Sequence, residues 1–301
     1  MGVLKLGYLQ LRVADLEQSV RYYTQVLGLK ETDRTGGKVY LKAWDELEHH
    51  QIVLKQGDPG MDYMSFRVDS SDDLVEFENR LERSDHHVQR ISAGEEHALG
   101  EAIRFTAPSN HTVELYYQQP HVGNGLPNLN PQPYPDDLVG IHPPRMDHTL
   151  LTTPDAKESL DFWREIMGFR LTEQVVDPTE RPIAVWLERT HTPHDLAFIP
   201  GNPGGFHHVA FWLDDWNEIG RAAEVLARGG AKIDAGPTRH GITRGHTIYF
   251  FDPSGNRNEV FTGGYWADPA MKPITWSSDE LWTGIFYWDR TEKGSFVENY
   301  T

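Results

Sequence analysis

The sequence predicts an α+β protein of two similar domains, each built from two strand–helix–three-strand (βαβββ) modules. Three observations predict it. Short segments alternating apolar and polar at period two lead into helical stretches that open on a capping residue. The pattern runs once, breaks in a proline-rich stretch and restarts. The two passes also align without a gap over their closing hairpins, Ile103-x-Phe105-x-x-Pro108-Ser109 to Glu114 against Ile248-x-Phe250-x-x-Pro253-Ser254 to Glu259, which is the mark of an internal repeat.

Taken in order, Tyr8 to Val13 alternates as a strand, Asp15 caps a helix through Leu16, Val20, Tyr23 and Leu27, and Gly28 ends it. An N-cap acid satisfies free amides of the first turn, and glycine takes the left-handed conformation at the end. Strands follow at Lys38 to Trp44, Gln51 to Lys55 and Asp62 to Val68, then a helix from Asp72 to Arg83 with Leu74, Phe77 and Leu81 on one face. A hairpin from Ile103 to Tyr116 closes the first pass, which bounds a domain of residues 1–120. Seven of the 19 prolines lie between Pro120 and Pro144, so residues 121–145 read as a linker. The second domain, 146–301, restarts with the strand Asp147 to Leu151 and the helix from Asp155 to Gly168. A strand at His207 to Asp214 and a helix at Trp216 to Ala227 follow. Then comes the hairpin Ile248 to Phe261, turned by Asp252-Pro253-Ser254-Gly255. One offset, 145 residues, relates Tyr63 to His208 and Glu114 to Glu259, while 140 relates Tyr8 to His148.

Composition narrows the chemistry. Against 28 Lys and Arg stand 45 Asp and Glu, a formal charge of −17 that repels nucleic-acid backbones. No cysteine is present, which excludes disulfides, thiolate metal sites and thiol nucleophiles. No stretch has the length and apolarity of a membrane span or secretory leader, so a cytoplasmic protein is expected. Fifteen histidines leave imidazole and carboxylate as the available transition-metal ligands.

A duplicated scaffold acts as its own control. Where the first half has Tyr8, Tyr63 and Glu114, the second has His148, His208 and Glu259. Two imidazoles and one carboxylate on three strands suit a facial Fe(II) or Mn(II) site with open positions for substrate and dioxygen; zinc accepts the same set. A lone strand histidine is more often a core residue than a ligand, but His148 and His208 are set apart by their equivalence and by sharing a frame with Glu259. Glu114, without such partners, reads as solvated or hydrogen-bonded. Strict alternation turns His207 away from His208. His194, His240 and Tyr249 are further candidates, the last two for their closeness to Glu259.

These residues resemble the extradiol ring-cleavage dioxygenases of the vicinal-oxygen-chelate superfamily. The family signature is met by Thr238, His240, Ile248, Tyr249, Asp252, Pro253, Gly255 and Glu259, and the resemblance runs from Val39–Trp44 to Lys272–Trp276. It implies curled mixed sheets around a central funnel, a metal-free first domain, and extradiol (meta) cleavage of catechol or a substituted catechol by O2 to a 2-hydroxymuconic semialdehyde-type product. It implies Fe(II), with Mn(II) as an alternative, on His148, His208 and Glu259. His194 is implied as an acid–base residue near dioxygen, with His240 and Tyr249 hydrogen-bonding the catecholate. Ile242 and Phe296 are implied to line the ring pocket of a homotetramer. The alternatives are another metal-dependent enzyme of the scaffold, of glyoxalase or thiol-transferase type, and a non-enzymatic ligand-sequestering protein. The aromatic tail of Trp282, Phe286, Tyr287, Trp288 and Phe296 reads equally as a lid or as ordinary packing.

Overall fold

The computed structural model describes residues 2–301. The first half opens with β1 (Val3–Val13), α1 (Leu16–Tyr22, continuing through a π-type turn at Tyr23–Leu27), β2 (Lys30–Thr35), β3 (Lys38–Lys42) and β4 (Ile52–Gln56). A second module follows: β5 (Gly60–Val68), α2 (Ser71–Arg83), β6 (Gln89–Ile91), β7 (Ala102–Thr106) and β8 (Thr112–Tyr116). The second half repeats both, as β9 (Arg145–Thr153), α3 (Ala156–Glu165), β10 (Arg170–Val176), β11 (Pro182–Glu188) and β12 (Leu196–Pro200), then β13 (Phe206–Trp212), α4 (Trp216–Arg228), β14 (Lys232–Arg239), β15 (Gly245–Phe251) and β16 (Arg257–Gly263). The tail adds β17 (Ile274–Ser277), α5 (Leu281–Ile285) and α6 (Gly294–Glu298). No described helix is long and apolar enough to cross a membrane.

The first sheet runs β2-β3-β4-β1-β5-β8-β7-β6 and the second β14-β15-β16-β13-β9-β12-β11-β10-β17. In each module the first and last strands pair in parallel, β1 with β4 and β13 with β16 for example, and the two modules of a half join through an antiparallel pair, β1 with β5 or β9 with β13. Each curled mixed sheet therefore has its most protected strands at its centre. Alternation separates two environments. Leu9 and Leu11 of β1 join the helices and the second half in one continuous core, whereas Tyr8 faces inward with Tyr63 and Tyr116. The four major helices all begin on a side-chain cap, Asp15, Ser70, Asp155 or Asp215, each stabilising by about 1 kcal/mol. Gly28 and Gly168 end the first helix of each half at φ 86° and 75°, where a β-carbon is strained.

Residues 117–144 contain no described helix or strand. They are held to the body all the same: Ile141 is fully buried and its amide donates to Val26 O at 2.9 Å. The edge strands β2 and β6 escape a reading by alternation because β2 is polar on both faces and β6 is only three residues long. The added strand β17, parallel to β10, has no counterpart in the first half.

Candidate metal centre

Three adjacent central strands build the site. Register pairs Ala210 of β13 with both His148 of β9 and Glu259 of β16, and His208, two residues earlier, shares their face. His148, His208 and Glu259 each bring a donor atom within 4.8 Å of the others, and all three are buried. His148 Nε2 lies 3.2 Å and His208 Nε2 3.0 Å from the same carboxylate oxygen, Glu259 Oε2. The His208 nitrogen is nonetheless without a properly aligned hydrogen bond. A buried ring nitrogen aimed at an anionic oxygen that it does not bond is what a shared divalent ion would satisfy, and the N₂O set suits one.

The atoms not facing the centre are held. Asp147 Oδ2 takes His148 Nδ1 at 3.0 Å, and Thr247 Oγ1 donates to Glu259 Oε1. His207 Nε2 donates to Phe296 O at 2.7 Å, so its Nδ1 is bare and accepts from His208 Nδ1 at 2.7 Å. That chain fixes His208 with an unprotonated Nε2, as ligation requires. His207 is therefore not turned away. A register shift between Phe206 and His208 forms a β-bulge, which breaks the alternation on which the sequence reading relied. Burial pushes His208 down to about 4. For His148 burial acts in the same direction, but Asp147 and Glu259 outweigh it and hold the ring up at about 9; an ion would displace that proton.

Around the centre lies a cavity of ≈ 690 Å³ of empty space, mouth included, whose lining takes in His194, His240, Tyr249, Ile242 and Phe296. His194 packs at a tilt of 42° against His148 with centroids 3.9 Å apart, and no described residue hydrogen-bonds its ring. Burial, reinforced by His148, holds it well below the usual imidazole range. The ring is thus neutral, with both nitrogens' polar partners left to come from the cavity, and gives up an acquired proton more readily than an ordinary histidine. It is carried by a loop tied through Asp195, which accepts from the amides of Arg189 and Thr190. His240 Nδ1 donates to Ile285 O, which leaves Nε2 to accept from Tyr249 Oη at 2.8 Å. Burial keeps the tyrosine protonated. His191 lies apart, stacked on Trp266.

The tail divides. Ile285, Phe296 and Val297 line the cavity, while Tyr287 and Trp288 are 46% and 55% exposed. One residue absent from the sequence reading holds the wall together. Glu173 of β10, buried, accepts from the Thr243 amide (2.7 Å), Tyr265 (2.9 Å) and Trp276 (2.8 Å). It thereby ties the β14–β15 loop, which carries His240 and Ile242, to the tail. Only its repeat relation to Asp33, one more acid on a polar edge strand, marks it in the sequence.

Paired βαβββ halves with an N₂O triad on the central strands of one half define a metal-dependent enzyme of the vicinal-oxygen-chelate class. Residues 145–260 match the Glyoxalase/Bleomycin resistance protein/Dioxygenase superfamily and residues 61–119 the Catechol 2,3-dioxygenase-like N-terminal domain. The chain belongs to the extradiol ring-cleavage dioxygenases of that superfamily: it is 42% identical over 300 residues to a metapyrocatechase of Pseudomonas sp. (strain CF600), covering 98% of both chains. A manganese-dependent 2,3-dihydroxybiphenyl 1,2-dioxygenase of Geobacillus genomosp. 3 is 33% identical over 295 residues, 95% of this chain and 94% of the other. Among solved structures, a 2,3-dioxygenase of Pseudomonas sp. KL28 superposes with a TM-score of 0.90 at 40% identity, covering 93% and 99%. Homoprotocatechuate 2,3-dioxygenase of Brevibacterium fuscum gives 0.90 at 28%, covering 98% and 92%.

Proposed function

We propose that the protein catalyses Fe(II)-dependent extradiol cleavage of catechol or a substituted catechol by O2, with both oxygen atoms retained in a 2-hydroxymuconic semialdehyde-type product of aromatic-compound degradation. The observation that carries this reading is the unprotonated, unbonded Nε2 of His208 beside His148 and Glu259, in a cavity that also holds a free neutral imidazole and a tyrosine–histidine pair. Iron on these three side chains would supply Lewis acidity to the catechol hydroxyls and a redox path to O2. His194, neutral and unengaged, takes a hydroxyl proton and can return it later. Tyr249 Oη accepts the hydrogen of a substrate hydroxyl and passes its own to His240 Nε2, while Ile285 O holds the imidazole ring in place. Ile242 and Phe296 fix the aromatic ring and exclude water.

In this reading residues 1–120 are a domain whose Tyr8, Tyr63 and Glu114 centre holds no metal, 121–145 a linker and 146–301 the catalytic domain. The assembly is a cytoplasmic homotetramer, as the family resemblance suggests, and the charge of −17 speaks against a nucleic-acid partner. Mn(II) is the second reading for the metal, since a relative 33% identical is named manganese-dependent. The test is oxygen uptake by anaerobically Fe(II)-loaded or Mn(II)-loaded protein on adding catechol. The expected result is one O2 consumed per catechol and a product 32 mass units heavier, both added atoms coming from labelled O2. Bound iron or manganese without catechol-dependent uptake overturns the proposal.

A further inference from the structure

A second cluster of metal-ligating side chains lies in the first half, away from the positions of Tyr8, Tyr63 and Glu114. Asp33 of β2, His49 before β4 and His97 after β6 each bring a donor atom within 4.8 Å of the others. His97 Nε2 is 2.6 Å from Asp33 Oδ2, and the His49 and His97 rings are 5.6 Å apart. As in the centre of the second half, the donors lean on one another, and the atoms facing outward are held. The Arg34 amide takes Asp33 Oδ1 at 2.7 Å, and His50 takes His49 Nδ1 at 3.0 Å, leaving the second ring nitrogen of His49 for the cluster. Tyr40 walls one side, 5.0 Å from His97. The loop bearing His97 is fixed by its neighbour Glu96, which pairs with Lys38 (2.9 Å) and Arg104 (2.7 Å). Orientation of ligands by such outer contacts is a regular feature of metal sites.

Topology gives the cluster a task. β2 and β6 are the two edges of the eight-stranded sheet, so Asp33 and His97 meet across the gap where the curled sheet fails to close. The second half shows how that gap is otherwise bridged. Glu173 stands where Asp33 stands: each lies at a register shift in the second strand of its half, opposite Trp186 and Tyr40 respectively. Glu173 reaches the β14–β15 loop by accepting the Thr243 amide, with Tyr265 and Trp276 as further donors. Asp33 has only imidazole across the gap. We propose that Asp33, His49 and His97 form a second divalent-cation site, of borderline class such as Zn(II), that staples the two edges of the first sheet. Two imidazoles and a carboxylate with positions left for water suit such an ion. Asp33 and His97 side chains are 41% and 38% exposed, which gives the ion a route in from solvent.

The experiment uses iron-loaded protein, dialysed anaerobically against micromolar Zn(II) and analysed for both metals, with thermal midpoints recorded with and without zinc. The expected result is one iron and one zinc per chain and a midpoint raised by zinc, because an ion that binds only the folded chain stabilises it. Asp33→Asn and His97→Gln should each remove the zinc and the zinc-dependent midpoint rise while leaving iron content and catechol-dependent oxygen uptake unchanged. Zinc taken up only in exchange for iron, or retained in full by both variants, overturns the proposal. So does a zinc-dependent midpoint rise that persists in both. Because iron content is read separately, failure here is distinguishable from failure of the ring-cleavage reading.

Discussion

The two funnels carry the same carboxylate on the same strand and answer its charge differently. In the second half, Glu259 faces His148 and His208 and lies opposite Tyr249 in the β15–β16 register. In the first, Glu114 is fully buried and faces Tyr8 and Ser65, with Arg104 opposite it. Arg104 Nε donates to Glu114 Oε2 at 2.7 Å, and both hydroxyls donate to Oε1. A buried carboxylate needs a cation: one half supplies a guanidinium from its own chain, and the other leaves the place for an ion. Even the histidine beside the centre has its twin. The Leu9 amide donates to Gln51 O as the Thr149 amide donates to Asp195 O, so His50 matches His194, and it packs on Tyr8 at 4.6 Å.

The largest effect expected of a change to one funnel alone is at the ion. Glu259→Gln or His208→Ala should abolish stoichiometric metal and lower catechol-dependent oxygen uptake by roughly 10³-fold or more, the loss of several kcal/mol of charge stabilisation. The equivalent Glu114→Gln should leave both within a few-fold; equal losses would break the comparison.

Next comes the guanidinium. Arg104→Met strands Glu114 without its cation, and breaking a buried pair in this way costs about 3–5 kcal/mol. The thermal midpoint should fall, iron content should hold, and adding Glu114→Gln should restore much of the stability.

The twin histidines separate chemistry from packing. His194→Ala should lower kcat by about 10²-fold, the scale of one acid–base group, whereas His50→Ala should leave kcat within a few-fold.

The smallest effect concerns acid. His111, buried against Gly205 O at 3.0 Å and Ser109, is pushed down to about 4 by burial. The unfolded chain therefore binds one proton more between pH 6.5 and 4, and stability is whole above that window and falls as pH drops through it. The corresponding residue in the second half is the non-titrating Asn256. His111→Asn should flatten the acid limb of a denaturation series by roughly 2–3 kcal/mol.

The duplication and the residues of the cavity were legible because the halves share a strong pattern: buried strands, capped helices and a hairpin that aligns without a gap. His148, His208, Glu259, His194, His240 and Tyr249 stand out against that background and meet in one cavity. What was not legible depends on partners distant in sequence. The bulge that turns His207 onto His208 leaves no local signature. Asp33 sits in a polar strand that looks like a loop, Glu173 is a lone acid beside Val175 and Val176, and the match of His50 to His194 is hidden by unequal strand connections. Arg104 reads as a surface charge until its register with Glu114 is known.

The contacts between the halves follow an exchange rule. The first module meets the fourth, where Ser254 takes the Ala14 amide at 2.9 Å and Tyr23 reaches Asp252 at 3.2 Å. The second meets the third, where Phe105 lies 6.0 Å from Phe162 and Arg80 donates to Ile166 O at 2.8 Å. Swapping the halves maps one set of modules onto the other, the form of a twofold dimer interface. A polypeptide of one half would thus present an apolar surface shaped for a second copy of itself. Tethering two copies makes that association intramolecular and independent of concentration. It also frees one copy from chemistry, so that substitutions in its funnel are judged by folding alone.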